Sequence, residues 1–194
     1  MIPLWMFPLA IAAGNSFILK PSEKDPLSTI FITELFNETK APSGLLNLVH
    51  GDKEVVSNLI KDHRINAVSF VGSTDVARDI YKNSANNNKR CQALGGAKNH
   101  ALVMSDANIE YATDQIISAA FGSSGQRCMA LSVAMVSKKI KNKFTETLKN
   151  KVEKLKVGFE ELDNNSFGPL VSKEHFDRVV KNIKIAEEEG SNVI

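Results

Sequence analysis

From the amino terminus to about residue 95, short apolar runs alternate with amphipathic stretches of helical period. Few folds satisfy that alternation other than βαβ units carrying a parallel sheet. A parallel neighbour cannot be reached through a tight turn, so each apolar run needs a helix to carry the chain back. The predicted strands are Ser16 to Lys20, Leu45 to Val49, Ala67 to Phe70 and Gln92 to Leu94. Helices are predicted from Pro26 to Thr39, Lys53 to Lys61 and Asp75 to Ala85. Pro26 suits a first helical turn, with Asp25 before it as the expected cap. Lys40-Ala41-Pro42-Ser43-Gly44 reads as a turn, and Asn86 to Lys89 as a polar loop.

A second pattern begins at Gly95-Gly96, a pair suited to redirecting the chain between domains. We therefore expect an α/β protein with two partial domains, 1–94 and 95–194. In the second, His100 to Met104 and Leu131 to Val136 are strand-like. Ile109 to Phe121 is a helix capped by Asp106 or Asn108, and Lys141 to Val157 is a longer one. A loop from Asn164 to Pro169 precedes a helix from Ser172 to Glu189, and Asn192 to Ile194 could open another strand.

The first nineteen residues carry no charge. Pro3 and Pro8 interrupt them and no basic start precedes them, which argues against a signal peptide and a membrane span. We read them as interior: a buried helix from Leu4 to Ala13, with Trp5, Phe7 and Phe17 as core aromatics. If exposed, so apolar a segment would lower solubility. With 24 Lys and Arg against 22 Asp and Glu, the charge is too balanced for a nucleic-acid footprint. The lysines between Lys138 and Lys156 fit a solvated helix face. The two cysteines, Cys91 and Cys128, form no disulfide framework, and the four histidines show no metal-ligand spacing. No metal is expected, and His50 and His100 receive no role. Cys91, within a strand, reads as a packing residue.

Cys128 stands apart. It lies in Phe121-Gly122-Ser123-Ser124-Gly125-Gln126-Arg127-Cys128-Met129-Ala130, where small residues end a helix and bring a thiol beside a guanidinium. An adjacent fixed positive charge favours the thiolate, the form that attacks a carbonyl carbon. A free cysteine can equally pack as a small hydrophobe. Arg127 could bind a substrate carboxylate bidentately, or it could serve the thiol or pair with an acid. Lys20 and Glu23 follow a strand, at the end where open α/β sheets bind ligands, and could hold a ribose diol; they could also be surface charge. Ser73, in Phe70-Val71-Gly72-Ser73-Thr74 before a helix, could bind phosphate or cap its own backbone.

Gly125, Gln126 and Cys128 match the Gly-Gln-x-Cys of aldehyde dehydrogenases, which the chain resembles along its whole length. Gly125 to Ser132, with Gly96-Ala97-Lys98-Asn99-His100 upstream, resembles the coenzyme A-acylating methylmalonate-semialdehyde branch. The resemblance implies part of a Rossmann-type, NAD-binding domain followed by part of an α/β catalytic domain, with Cys128 as nucleophile. It implies that Lys20 and Glu23 bind the adenosine ribose, with Lys24 near its 2'-position. Gly51, Gly72, Ser73 and Gly95 would lie along NAD, although no GxGxxG occurs. Arg127 would read the carboxylate of a short semialdehyde.

Hydrolytic relatives carry a glutamate in Glu-Leu-Gly-Gly, and counting back from the shared Gly-x-Lys puts Leu94 there, or Ala93 if the count slips by one. Neither takes a proton, and general-base help is worth roughly 10² to 10⁴-fold. That departure favours transfer of the acyl group to coenzyme A over hydrolysis. The expected reaction turns malonate or methylmalonate semialdehyde, with CoA and NAD, into acetyl- or propionyl-CoA, carbon dioxide and NADH. A hydrolytic aldehyde dehydrogenase and a non-catalytic nucleotide-binding remnant are the alternatives. By the same resemblance the chain begins just after an Asn-Phe-Pro and stops short of the family's carboxyl-terminal motifs. The whole protein would be a homotetramer of a bacterial cytoplasm or a mitochondrial matrix, without nucleic-acid or membrane partners.

Overall fold

The structure is a computed structural model that describes residues 1–158 and 167–194. It contains two compact units, Met1–Gly96 and Ala97–Ile194.

In the first unit a 3-10 turn, Ile2–Trp5, leads into α1 (Phe7–Ala12) and β1 (Phe17–Leu19). Then come α2 (Leu27–Asn37), β2 (Leu46–Leu48), α3 (Lys53–Lys61), β3 (Ala67–Val71), α4 (Thr74–Asn86) and β4 (Arg90–Leu94). β1 pairs in parallel with β2, Phe17 opposite Leu46, and β3 with β4, Ala67 opposite Arg90. Each pair is one βαβ unit, with α2 or α4 as the return. Among the described residues the strands stay in two-stranded pairs rather than joining one sheet.

Phe7, Leu19 and Leu46 are buried together, and Ile11, Ile32 and Phe36 pack on them. The Phe7 and Phe36 rings meet edge to face, centroids 5.9 Å apart, a favoured aromatic geometry. The rest of the apolar amino-terminal segment departs from expectation. Leu4, Trp5 and Leu9 are exposed, and only Phe7 of α1 is buried. Trp5, in a 3-10 turn that buries no residue, is therefore not a core aromatic, and α1 is so short that only Phe7 reaches the core. α2 also turns an apolar stripe, Leu27, Phe31 and Leu35, outward. Asp25 does not cap α2. Pro26 occupies the cap position and no side chain caps there.

α3 is closed at both ends. Asp52 accepts the Glu54 N–H at 2.9 Å. At the other end Lys89, 8% exposed, turns its ammonium toward carbonyls of the last turn of α3 and of the loop that follows it. Its Nζ donates to the Asp62 oxygen at 2.5 Å and the Ile65 oxygen at 2.6 Å, with the Leu59 oxygen at 3.5 Å. One side chain thus ties the end of α3 to the start of β4.

The second unit comprises β5 (Asn99–Val103), α5 (Ile109–Phe121), β6 (Leu131–Val136), α6 (Lys141–Val152) and α7 (Lys173–Glu188). β5 and β6 pair in parallel, with a register shift between Asn99 and His100. Val103, Ile116 and Phe144 form the core between strands and helices. Asn108 caps α5 through the Tyr111 N–H, and Ser172 caps α7 through the His175 N–H. Lys151 of α6 donates to Thr113 Oγ1 at 2.9 Å and Asp114 Oδ1 at 2.6 Å, and pairs with the Glu110 carboxylate at 2.9 Å. The Asp114 hydrogen bond, with help from Glu110, holds its ammonium above the usual lysine range.

Two expectations need correction. α6 stops at Val152 rather than continuing to Val157, and 192–194 form no strand. Of the loop predicted from Asn164 to Pro169, residues 164–166 lie outside the described residues; Phe167 bridges Val157 in parallel.

Lys89→Met keeps the aliphatic stem and removes the charge. It removes the ammonium's hydrogen bonds to part-buried carbonyls, of which the Asp62 oxygen keeps only the Ile65 N–H, and should destabilise the protein by about 1–3 kcal/mol. Urea unfolding of both forms at one pH measures the difference; an unchanged midpoint would show that the ammonium contributes nothing.

Candidate active site

The candidate residues fall into three groups. The first sits where β1 and β2 end. Lys20 follows β1, and its Nζ donates to the Gly51 carbonyl beyond β2 at 2.6 Å. It also lies 3.5 Å from the Glu23 carboxylate. Parallel pairing creates this meeting, since it puts both carboxyl ends at one edge. Gly51 has φ +148°, and a Cβ there would collide with the Val55 side chain, so the position is closed to larger residues. The Glu23 carboxyl is held below its ordinary range, first by its own backbone N–H and then by the Lys20 ammonium, against slight burial. Lys24 is exposed beside them, its backbone N–H on Ser22 Oγ at 3.2 Å.

The second group sits where β3 and β4 end. The Gly72 N–H donates to the Leu94 carbonyl at 3.1 Å, and the Gly96 N–H to Thr74 Oγ1 at 3.0 Å. Ser73 is the N-cap of α4, yet its side chain makes no cap bond. Among the described residues its hydroxyl and the first amides of α4 thus have no partner, the state in which a helix start accepts an anion. Gly72 lacks room for a Cβ because the Phe70 ring lies against it, and a Cβ on Gly95 would sit 3.1 Å from Thr74 Cα. An open cleft of about 390 Å³ lies beside Gly95, lined also by Thr74, Ala77, Arg78, Tyr81 and Ala93. Leu94 is 44% exposed at the strand end. Among the described residues no hydrogen bond or ion pair links this group to the first.

The third group lies at the amino ends of β5 and β6. After α5 the chain makes a left-handed turn: Ser123, Ser124 and Gly125 have φ of 52°, 56° and 71°. Two non-glycine residues in that region cost about 1–2 kcal/mol each. The turn is held from several sides. Ser124 Oγ donates to the Gly168 carbonyl, and Gln126 Oε1 accepts the Val171 N–H at 3.1 Å. The Phe121 and Phe167 rings stack with centroids 6.0 Å apart.

Cys128 comes next, exposed, in a turn closed by the Ala130 N–H on the Arg127 carbonyl at 3.0 Å. Its packing alternative is thereby set aside. Asn99, at the start of β5, spends both amide hydrogens on this turn, donating to the Cys128 oxygen at 2.9 Å and the Ala130 oxygen at 2.8 Å. That clamp fixes the peptide plane after Cys128. The backbone N–H groups of Cys128 and Met129 have no acceptor among the described residues. Arg127 donates from Nε to Ser123 Oγ at 3.2 Å. No acidic side chain among the described residues pairs with it. Asn99 carries no individual signal in the sequence, although a carboxamide opening an apolar strand is a polar group in need of partners. Cys91 is half-buried in β4, and His50 is exposed. His100 Nδ1 lies 2.8 Å from the Lys98 carbonyl.

Residues 1–194 match the Aldehyde dehydrogenase family from end to end. The chain belongs to the aldehyde dehydrogenase family. Malonate-semialdehyde dehydrogenase 1 of Bacillus licheniformis is 50% identical over 191 residues, covering 98% of this chain and 40% of that protein. Malonate-semialdehyde dehydrogenase 2 of Oceanobacillus iheyensis is 47% identical over 195 residues, again 40% of its length. The crystal structure of methylmalonate-semialdehyde dehydrogenase from Oceanimonas doudoroffii superposes with a TM-score of 0.95 at 50% identity, over all of this chain and 40% of that one. A candidate methylmalonate-semialdehyde dehydrogenase of Sinorhizobium meliloti, complexed with NAD, superposes with a TM-score of 0.92 at 46% identity, over 98% of this chain and 39% of that one. The chain therefore spans about 40% of the length of the curated relatives it matches. No helix among the described residues is long and apolar enough to cross a membrane.

Two outcomes test this geometry. Asn99→Ala removes two hydrogen bonds of about 1 kcal/mol each, so amide exchange at Ala130 should accelerate by up to roughly thirtyfold; unchanged protection would mean the clamp holds nothing. Glu23 has a lowered folded pKa, so its ionised form stabilises the fold above the ordinary carboxylate pKa, and that gain fades as pH falls through the folded value. The stability difference between wild type and Glu23→Gln should be present at pH 7 and gone at pH 2 in urea titrations.

Proposed function

We propose that the protein carrying this chain is an NAD-dependent, coenzyme A-acylating dehydrogenase of malonate or methylmalonate semialdehyde. The observation that carries the reading is the exposed Cys128, fixed through its carbonyl by Asn99 and preceded by an arginine that has no acidic partner among the described residues. The relatives' names support the substrate class.

The residues of the first unit fit a dinucleotide. Lys20 and Glu23 offer a donor and an acceptor at one strand end, as a ribose diol requires, and the Glu23 carboxylate repels a 2'-phosphate and so favours NAD. Lys24 stands beside them. Gly51 and Gly72 have no room for side chains, and Ser73 with the start of α4 would hold phosphate. Gly95 would hold the backbone close to the ring. Bound NAD supplies a hydride acceptor. We accordingly assign 1–94 to cofactor binding and 95–194 to catalysis.

Cys128 Sγ adds to the aldehyde carbon, and the resulting oxyanion falls to the backbone N–H groups of Cys128 and Met129, which have no acceptor among the described residues. The Arg127 guanidinium holds the substrate carboxylate. Oxidation at the sulfur-bearing carbon leaves a thioester on Cys128. Leu94 offers no base to draw a proton from water, whereas a thiol acceptor needs less help, so coenzyme A takes the acyl group. With malonate semialdehyde the carboxylate, β to the thioester carbonyl, leaves as carbon dioxide. The sum is malonate semialdehyde, CoA and NAD⁺ to acetyl-CoA, carbon dioxide and NADH. We place the protein in a cytoplasm or mitochondrial matrix, as a homotetramer.

NADH formation from malonate semialdehyde should require CoA, and should fall by roughly three orders of magnitude or more in Cys128→Ser. Equal turnover without CoA would return the protein to the hydrolytic aldehyde dehydrogenases.

A further inference from the structure

Gly122 is glycine for room, not for its backbone. Its φ of −52° and ψ of 130° suit any residue. A Cβ there, however, would lie 2.7 Å from Arg127 Nη1, 2.8 Å from Cζ and 3.0 Å from Nη2. The guanidinium therefore fills the space that a side chain at 122 would take. Its second hold is the Nε–H on Ser123 Oγ at 3.2 Å, and Ser123 is turned toward it by the left-handed backbone at φ 52°. With Nε engaged, the two terminal NH₂ groups are the edge left for a carboxylate, which takes two parallel hydrogen bonds from such a fork.

We propose that Gly122 and Ser123 are specificity-determining positions, forming a seat that fixes the Arg127 fork for a short aldehyde bearing a carboxylate. The inference rests on the reading of Arg127 as the carboxylate-binding residue. Neither seat residue touches the reacting atoms. Both act through the arginine, so they should govern discrimination between aldehydes rather than turnover in general.

The test is the ratio of kcat/KM for malonate semialdehyde to that for propanal, which lacks the carboxylate, in the protein carrying this chain. Wild type, Gly122→Ala, Ser123→Ala and Arg127→Ala are compared, with thermal midpoints. Gly122→Ala should lower the ratio by about tenfold or more, because the fork must leave its seat and lose its alignment. Its midpoint should not fall, since alanine is unstrained there and less free in the unfolded chain. Ser123→Ala keeps the backbone cost and loses one long, solvent-exposed hydrogen bond from the guanidinium, and should lower the ratio about threefold. A wild-type ratio in both seat variants, with a reduced one in Arg127→Ala, overturns the seat and spares the arginine. A wild-type ratio in Arg127→Ala overturns the carboxylate reading, and the seat falls with it.

Discussion

Parallel strand pairing is the constraint on which every candidate group depends. Because a parallel partner must be reached by a crossover, both strands of a pair begin at one edge and end at the other. Residues 31 apart, Lys20 and Gly51, are thereby brought within hydrogen-bond distance. Gly72 reaches Leu94 in the same way. The second unit uses the other edge. Asn99 opens β5 and Cys128 precedes β6, so the clamp joins two strand starts where the first unit joins strand ends.

The loop that presents the thiol is expensive locally and stable regionally. Its left-handed serines have a cost of the same order as the few hydrogen bonds that restrain them. Those restraints come from a segment more than forty residues later, through Gly168 and Val171. The turn therefore belongs to tertiary structure. A peptide of residues 121–130 alone would have no reason to adopt it, and the positive φ of two serines follows from their neighbours rather than from their own preference.

Much of the fold was legible because periodicity and caps act locally. α3 and β6 have the predicted bounds, and Asn108 and Ser172 cap where a short polar side chain before an apolar run says they should. What failed was which apolar face finds a partner. The amino-terminal run and α2 are apolar enough for interior roles, yet Trp5, Leu9 and Phe31 are exposed, since hydrophobicity alone does not say what a surface packs on. Among the candidate residues, the thiol and its arginine announced themselves by type and adjacency. Asn99 and Gly122 did not, because their roles depend on what lies opposite in space: two carbonyls for one, a guanidinium for the other.

The space at Gly122 has a consequence for how this chain can vary. A glycine required by its backbone is required whatever surrounds it, but one required by a neighbour's volume is required only while that neighbour is large. With Arg127 present, a side chain at 122 must push the guanidinium aside; with a short residue at 127 it displaces nothing. The two positions are thus tied as a pair through where the guanidinium sits, not through whether the chain folds.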